Sequence, residues 1–145
     1  LFATLHDLKE RATFRIDLRD LGVNLSQSKD YWVRKFFEVI LEDHQYLRLS
    51  TMQEIANMLD ITPVHLERSF KKDGCPMTPK QILLCLKNYY AAYLLDTTSW
   101  STKKIAQRCG FSSEHDFYKS FAKKTGMTVK EQGLEGVSPD YHVAI

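Results

Sequence analysis

Two stretches of the chain place side chains able to bind a partner or move a proton at helical spacing. One offers Val64, Glu67, Arg68 and Lys71; the other offers His115, Tyr118, Lys119 and Ala122. Each lies opposite an apolar pair four residues apart, Leu66 with Phe70 and Phe117 with Phe121, as expected of helices with one face turned to a core. His65 and His115 are the residues best suited to acid–base work. Neither has a Cys, Asp or Ser at a spacing that suggests a triad, and a surface role is expected for both. There is no CxxC or HxxxH pair, and the three cysteines, Cys75, Cys85 and Cys109, are odd in number and scattered. Catalytic residues, a metal site, a cofactor and a disulfide scaffold are therefore not expected, and free thiols suit a reducing cytoplasm.

The elements that must carry these faces can be read along the chain. With 145 residues, 43% of them hydrophobic and 12% aromatic, it can build one domain or two small packed lobes. No apolar run is long enough to span a bilayer, and 6 Gly with 4 Pro are too few for a turn-rich all-β fold. The first residue is Leu1, and no signal-peptide pattern follows, so a fragment of a longer chain is expected. Residues 2–11 suit a short helix, residues 12–18 alternate like a short strand, and residues 22–28 read as a linker with Ser28 as a cap. From Asp30, the residues Val33, Phe36, Phe37, Ile40, Leu41 and His44 predict a helix to about residue 45. Thr51 with Glu54, or Ser50 with Gln53, predicts a capped helix carrying Ile55, Ala56 and Leu59 and ending near Asp60. Thr62–Pro63 and Thr78–Pro79 are two further starts, a cap followed by proline at the first helical position. The second opens a long helix to about Leu95 whose buried side is Ile82, Leu83, Leu86, Tyr89, Tyr90, Tyr93 and Leu94. Trp100 is expected to be a packing anchor. Helices over about 101–109 and 113–124 flank a turn at Gly110, and a last turn of helix near Thr128 is expected.

The same pattern occurs twice, about 50 residues apart. Ile55–Ala56 pairs with Ile105–Ala106, Thr62 with Ser112 as helix caps, Phe70 with Phe121, Lys72 with Lys123, and Met77–Thr78 with Met127–Thr128. The changing offset implies one extra residue in the second copy and one in the first, near Cys75–Pro76. Each copy reads as helix, tight turn, helix, the layout of a helix-turn-helix whose second helix enters a DNA major groove. The predicted fold class is all-α: two helix-turn-helix subdomains joined by a long central helix and preceded by a helical N-terminal extension. The predicted division is 1–28 for an N-terminal extension or a remnant of a neighbouring domain, 29–96 for the first lobe with its leading and linker helices, 97–132 for the second lobe, and 133–145 for a tail. Residues 1–50 balance in charge, residues 51–132 carry an excess of four positives, and the tail carries two negatives. That distribution permits a nucleic-acid partner without requiring one.

Over about residues 50–132 the sequence resembles the DNA-binding region of the AraC/XylS family of bacterial transcription regulators. The carrying stretches are Met52-Gln-Glu-Ile-Ala-Asn-Met-Leu59, Thr62-Pro-Val-His-Leu-Glu-Arg-Ser-Phe-Lys-Lys72, Ile105-Ala-Gln-Arg-Cys-Gly-Phe111, Phe117-Tyr-Lys-Ser-Phe121 and Lys124-Thr-Gly-Met-Thr128. The resemblance implies sequence-specific binding of double-stranded DNA, with two recognition helices in successive major-groove segments about one turn, roughly 34 Å, apart. By position it implies base contacts from Val64, Glu67 and Arg68 in the first lobe and from Glu114, His115, Tyr118 and Lys119 in the second. Arg68 suits guanine O6 and N7, and Glu67 suits cytosine N4. Phosphate contacts are implied for Lys71, Lys72, Lys103 and Lys123 and for helix N-termini near Thr51, Thr62 and Ser101. It also implies a separate sensing or dimerising domain on the N-terminal side. From the residues themselves, with short apolar runs and no catalytic motif, neither a membrane partner nor an enzymatic activity is expected.

Two departures matter. Asp60 stands where the family commonly has glycine, and Asp is among the residues that best tolerate a left-handed backbone. Glu67, Glu114 and Asp116 put acid on or near the recognition faces, where phosphates would be repelled. That acid favours an alternative use, a helical module that docks RNA polymerase subunits or another regulator.

Overall fold

The computed structural model describes residues 28–125, which form six α-helices and one 3-10 segment. The readings for residues 1–27 and for the turn near Thr128 lie outside the described residues. No helix among the described residues is long and apolar enough to cross a membrane.

Helix α1 spans Tyr31–Leu41 and buries Val33, Phe36, Phe37 and Ile40. Its cap is Asp30, whose carboxylate accepts the amides of Trp32 at 2.8 Å and Val33 at 3.3 Å. Ser28 is therefore not the cap; its hydroxyl donates to Asp73 Oδ2 at 3.0 Å. The expected run to residue 45 is also cut short. Asp43 and His44 take left-handed conformations, φ 50° and 53°, and the chain continues as a 3-10 segment over Glu42–Arg48. This turn buries Tyr46 and Leu47 and sets His44 Nδ1 2.9 Å from Tyr46 Oη. Burying Tyr46 and Leu47 outweighs the helical register that His44 happened to share with Ile40.

Helix α2 (Met52–Leu59) starts where Thr51 Oγ1 accepts the Glu54 amide at 3.2 Å, and it ends at Asp60, left-handed at φ 57°. Helix α3 (Pro63–Asp73) is capped by Thr62, which accepts the His65 amide at 3.1 Å, and it closes on left-handed Gly74. Helix α4 (Pro79–Thr97) carries a reciprocal capping box. Thr78 Oγ1 accepts the Gln81 amide and the Thr78 amide donates to Gln81 Oε1, at 3.2 and 2.9 Å. Twelve of its nineteen residues are buried, so it is covered on more than one side, and it runs two residues past the expected end. Helix α5 (Thr102–Arg108) is capped by Ser101 and helix α6 spans Glu114–Thr125.

Packing divides these elements into two lobes that share α4. Helix α1 packs on the 3-10 segment, α2 and α3, and α2 packs on α3. Helix α4 packs on the 3-10 segment, on α5 and on α6, and α5 packs on α6. Phe36, Phe37 and Phe70 meet in the first lobe, with ring centroids 5.0–6.3 Å apart; Phe111, Phe117 and Phe121 meet in the second. Ala56 and Ala106 are buried where the short helices approach. Tyr89 and Tyr90 are core residues and Tyr93 is half-buried.

The two lobes correct the repeat at one point. Asp60 and Gly110 both take the left-handed turn, and the amides of Ile61 and Phe111 both return to the carbonyls of Ala56 and Ala106, all at an offset of 50. The cap that follows is Thr62 in one lobe and Ser113 in the other, an offset of 51; Ser113 Oγ accepts the Asp116 amide at 3.1 Å. Ser112 is thus the inserted residue and not the cap.

Candidate nucleic-acid interface

Helix α3 is held by Leu66 and Phe70, both buried, and presents Val64, Glu67, Arg68, Lys71 and Lys72 on its outer side, Val64 with 54% of its surface exposed. Helix α6 is held by Phe117 and Phe121 and presents His115, Tyr118, Lys119 and Lys123. With Thr62 and Ser113 as equivalent caps, Val64 corresponds to His115, Glu67 to Tyr118, Arg68 to Lys119 and Lys72 to Lys123. Each lobe thus carries two cations at the same places on its second helix, each two residues after a buried anchor. Exposed Glu67 and Asp116 share these faces.

The third acid is differently placed. Glu114 is half-buried, and its Oε2 lies 2.8 Å from Tyr118 Oη and 3.2 Å from Thr102 Oγ1, while the two hydroxyls are 2.9 Å apart. Each hydroxyl has one hydrogen, so two hydrogens serve three edges and both can point at the carboxylate. The triangle braces α6 against α5 and keeps Glu114 and the Tyr118 hydroxyl engaged with each other.

The histidines are both exposed, and Trp32 of α1 meets His65 edge-on at 5.4 Å. Thr51, Thr62 and Ser101 are exposed and each uses its hydroxyl oxygen as a cap. Lys103 is exposed on α5. Trp100 is half-buried and supports Lys104, whose Nζ is 4.0 Å from the ring centre, and Arg108 at 5.6 Å. Among the described residues no group of His, Cys, Asp and Glu is arranged to hold a metal ion, and the three cysteines are free thiols.

Lys87 is one of the cations of the basic middle stretch, where a solvated position is the expectation. It is instead 3% exposed, and its Nζ donates to the carbonyls of Leu49 and Gly110. Burial holds this amine below the ordinary lysine range, while burial pushes the neighbouring Cys109 thiol far above its usual value. The available signal was register: Lys87 falls four residues after Leu83, three before Tyr90 and seven before Leu94, all on the apolar side. Asn88 is likewise buried, and its Nδ2 donates to Leu84 O at 2.8 Å and to Ser120 Oγ of α6 at 2.9 Å.

This geometry matches known proteins. A helix-turn-helix domain profile matches residues 55–132. The lactose operon transcription activator of Staphylococcus xylosus is 32% identical over 87 residues, 59% of this chain and 30% of that protein, so the match spans less than a third of the relative's length. The C-terminal domain of AraT, a response regulator from Geobacillus stearothermophilus, superposes with a TM-score of 0.65 at 25% identity, covering 75% of this chain and 89% of that one. The C-terminal domain of the two-component response regulator yesN from Fusobacterium nucleatum gives 0.61 at 25% identity, covering 70% and 97%. An AraC-type regulator from Chromobacterium violaceum gives 0.53 at 29% identity, covering 62% and 80%.

Proposed function

Because the chain belongs to the AraC-type helix-turn-helix family of DNA-binding transcription regulators, we propose that it reads a specific DNA duplex with α3 and α6 in successive major-groove segments. The observation that carries this reading is the matched pair of exposed cations, Arg68 and Lys119, at equivalent places on two helices anchored by Leu66–Phe70 and Phe117–Phe121. Base contacts come from Val64, Glu67 and Arg68 in one segment and from His115, Tyr118 and Lys119 in the other, while Glu114, held by the Tyr118 and Thr102 hydroxyls, gives up the base contact its position implies. Lys71, Lys72, Lys103 and Lys123, with the helix starts at Thr51, Thr62 and Ser101, hold the phosphates. In this reading the protein acts in the cytoplasm, and a separate N-terminal domain senses a signal or dimerises. Selection of binding sites from random duplex DNA tests it. Recovery of two boxes about one turn apart, roughly 10 base pairs, supports it, and a single box or no enrichment overturns it.

Exposed Glu67 and Asp116 favour a second reading, a module that docks RNA polymerase subunits. The engagement of Glu114 by two hydroxyls removes one acid from that argument. Capture of polymerase subunits at high salt without DNA would support docking; complete dependence on DNA would refute it.

A further inference from the structure

We propose that Lys87 is a positioning residue for DNA recognition, a buried clasp between the lobes that fixes the separation at which the two recognition helices read. The inference rests on the two-helix reading above and adds what sets its geometry.

Lys87 stands on α4, the helix that both lobes share. Its two acceptors lie outside the helices and belong to different lobes. Leu49 follows the 3-10 segment of the first lobe, and Gly110 makes the turn between α5 and α6 of the second, with its oxygen 3.3 Å from Nζ. The lobes also touch backbone to backbone at this point. A Cβ placed on Gly110 would lie 2.1 Å from the Leu47 carbonyl oxygen, so no side chain fits between them. An ammonium is a compact donor with no acceptor capacity, and stripping its water is costly unless buried acceptors replace it. Here the acceptors are supplied only when both lobes are docked. A swing of one lobe away from the other would leave a buried cation half-satisfied, and the docked arrangement is held against that cost.

Rigidity of this kind matters for a reader with two heads. Adding one base pair between the boxes moves the second by about 3.4 Å and turns it by about 35°. Two heads on a loose tether would tolerate that change but would bind the correct spacing less tightly, because tethering helps only as far as the geometry is preset.

The test uses the duplex recovered by selection with this chain, in four forms: native spacing, one base pair added, one removed, and a single box. For the wild-type chain, affinity is expected to fall about tenfold or more with either change of spacing. Lys87→Met keeps the stem and removes the donors. It is expected to hold single-box affinity within about twofold, lose about tenfold at native spacing, and flatten the spacing penalty to about threefold or less. A folded Lys87→Met chain with the wild-type spacing profile would overturn the clasp while leaving the two-helix reading intact. Failure of the wild-type chain to enrich any duplex would instead overturn that reading. Fold is checked first by far-ultraviolet circular dichroism. Should Lys87→Met not fold, Lys87→Gln makes the same measurement with a shorter, uncharged head that cannot bridge both carbonyls: a flattened profile supports the clasp, and an unchanged one overturns it.

Discussion

The carboxylate of Asp73 accepts the backbone amide of Asp30 at 3.2 Å, which ties the end of α3 to the cap of α1. The same Oδ1 accepts the Lys29 amide at 3.1 Å, and Oδ2 accepts the Ser28 hydroxyl. An acid in the last turn of a helix is opposed by the helix dipole, and three donors from consecutive residues offset that opposition. Asp73→Ala is expected to lower the unfolding free energy by about 1–3 kcal/mol, because these donors lose a charged acceptor. Urea denaturation checks it. An unchanged midpoint would mean that residues 28–30 are held by other contacts.

Arg68 is exposed on a helix whose opposite side is fully buried at Leu66, so its removal should leave the fold alone. Arg68→Ala is expected to cost about 1–3 kcal/mol of binding and to relax preference at one base pair. Lys119→Ala should act at the other box, and by less, because an ammonium lacks the two-pronged fork of a guanidinium. Binding to a set of single-base variants of the selected duplex distinguishes the two boxes. Loss of affinity spread evenly over all sequences would assign Arg68 to phosphate instead.

The Glu114–Tyr118–Thr102 triangle gives opposite expectations for two small changes. Glu114→Gln keeps an acceptor for the Tyr118 hydroxyl and removes a negative charge from the proposed DNA-binding face. DNA affinity should rise by up to about 1 kcal/mol at low ionic strength, and the gain should shrink as salt is added. Tyr118→Phe strips the carboxylate of its shorter partner and should lower affinity. Titrations at two salt concentrations decide; a salt-independent gain for Glu114→Gln would point to a packing effect.

Cys109 makes stability depend on alkaline pH. Its thiol is fully buried, and burial raises its folded pKa well above the unfolded value of 9.0. Above pH 9 the unfolded chain releases this proton while the folded chain keeps it, so the contribution is intact below pH 9 and is lost as pH rises. The slope approaches about 1.4 kcal/mol per pH unit for one group. Lys87 acts in the opposite sense, since its folded pKa is depressed: the unfolded chain holds that proton up to about its usual value of 10.5, and this contribution grows with pH. Wild type is compared with Cys109→Ala, and because thiol and amine act on each other the same pair is also measured on a Lys87→Met background, where the lysine is absent. The wild-type advantage measured at pH 7.5 should narrow at pH 9.5 and 10.5; a constant difference between the two chains would refute a protonated buried thiol.

Much of the local architecture was legible in the residues. Thr51, Thr62, Thr78 and Ser101 cap helices where capping chemistry places them, Asp60 takes the left-handed turn, and Leu66, Phe70, Phe117 and Phe121 are buried as their spacing requires. The errors fall where a local signal meets a distant competitor. His44 continues the helical register of α1, yet the burial of Tyr46 against the core bends the chain before it. Ser112 and Ser113 are adjacent and equally suited to cap, and only the path of the turn after Gly110 selects the second.

The chain's order of residues determined by itself where helices begin, where they stop and which side of each faces inward, because capping and periodicity act within about four residues. The register of Lys87 put it on the apolar side of α4, but only tertiary structure decided that its ammonium finds acceptors there and that Glu114 is occupied. The Lys87 carbonyl partners lie 38 and 23 residues away in sequence, and the Thr102 hydroxyl is 12 residues from Glu114. A charged side chain belongs to the surface or to the interior according to whether acceptors and donors reach it there, and those arrive only when distant helices and turns have packed together.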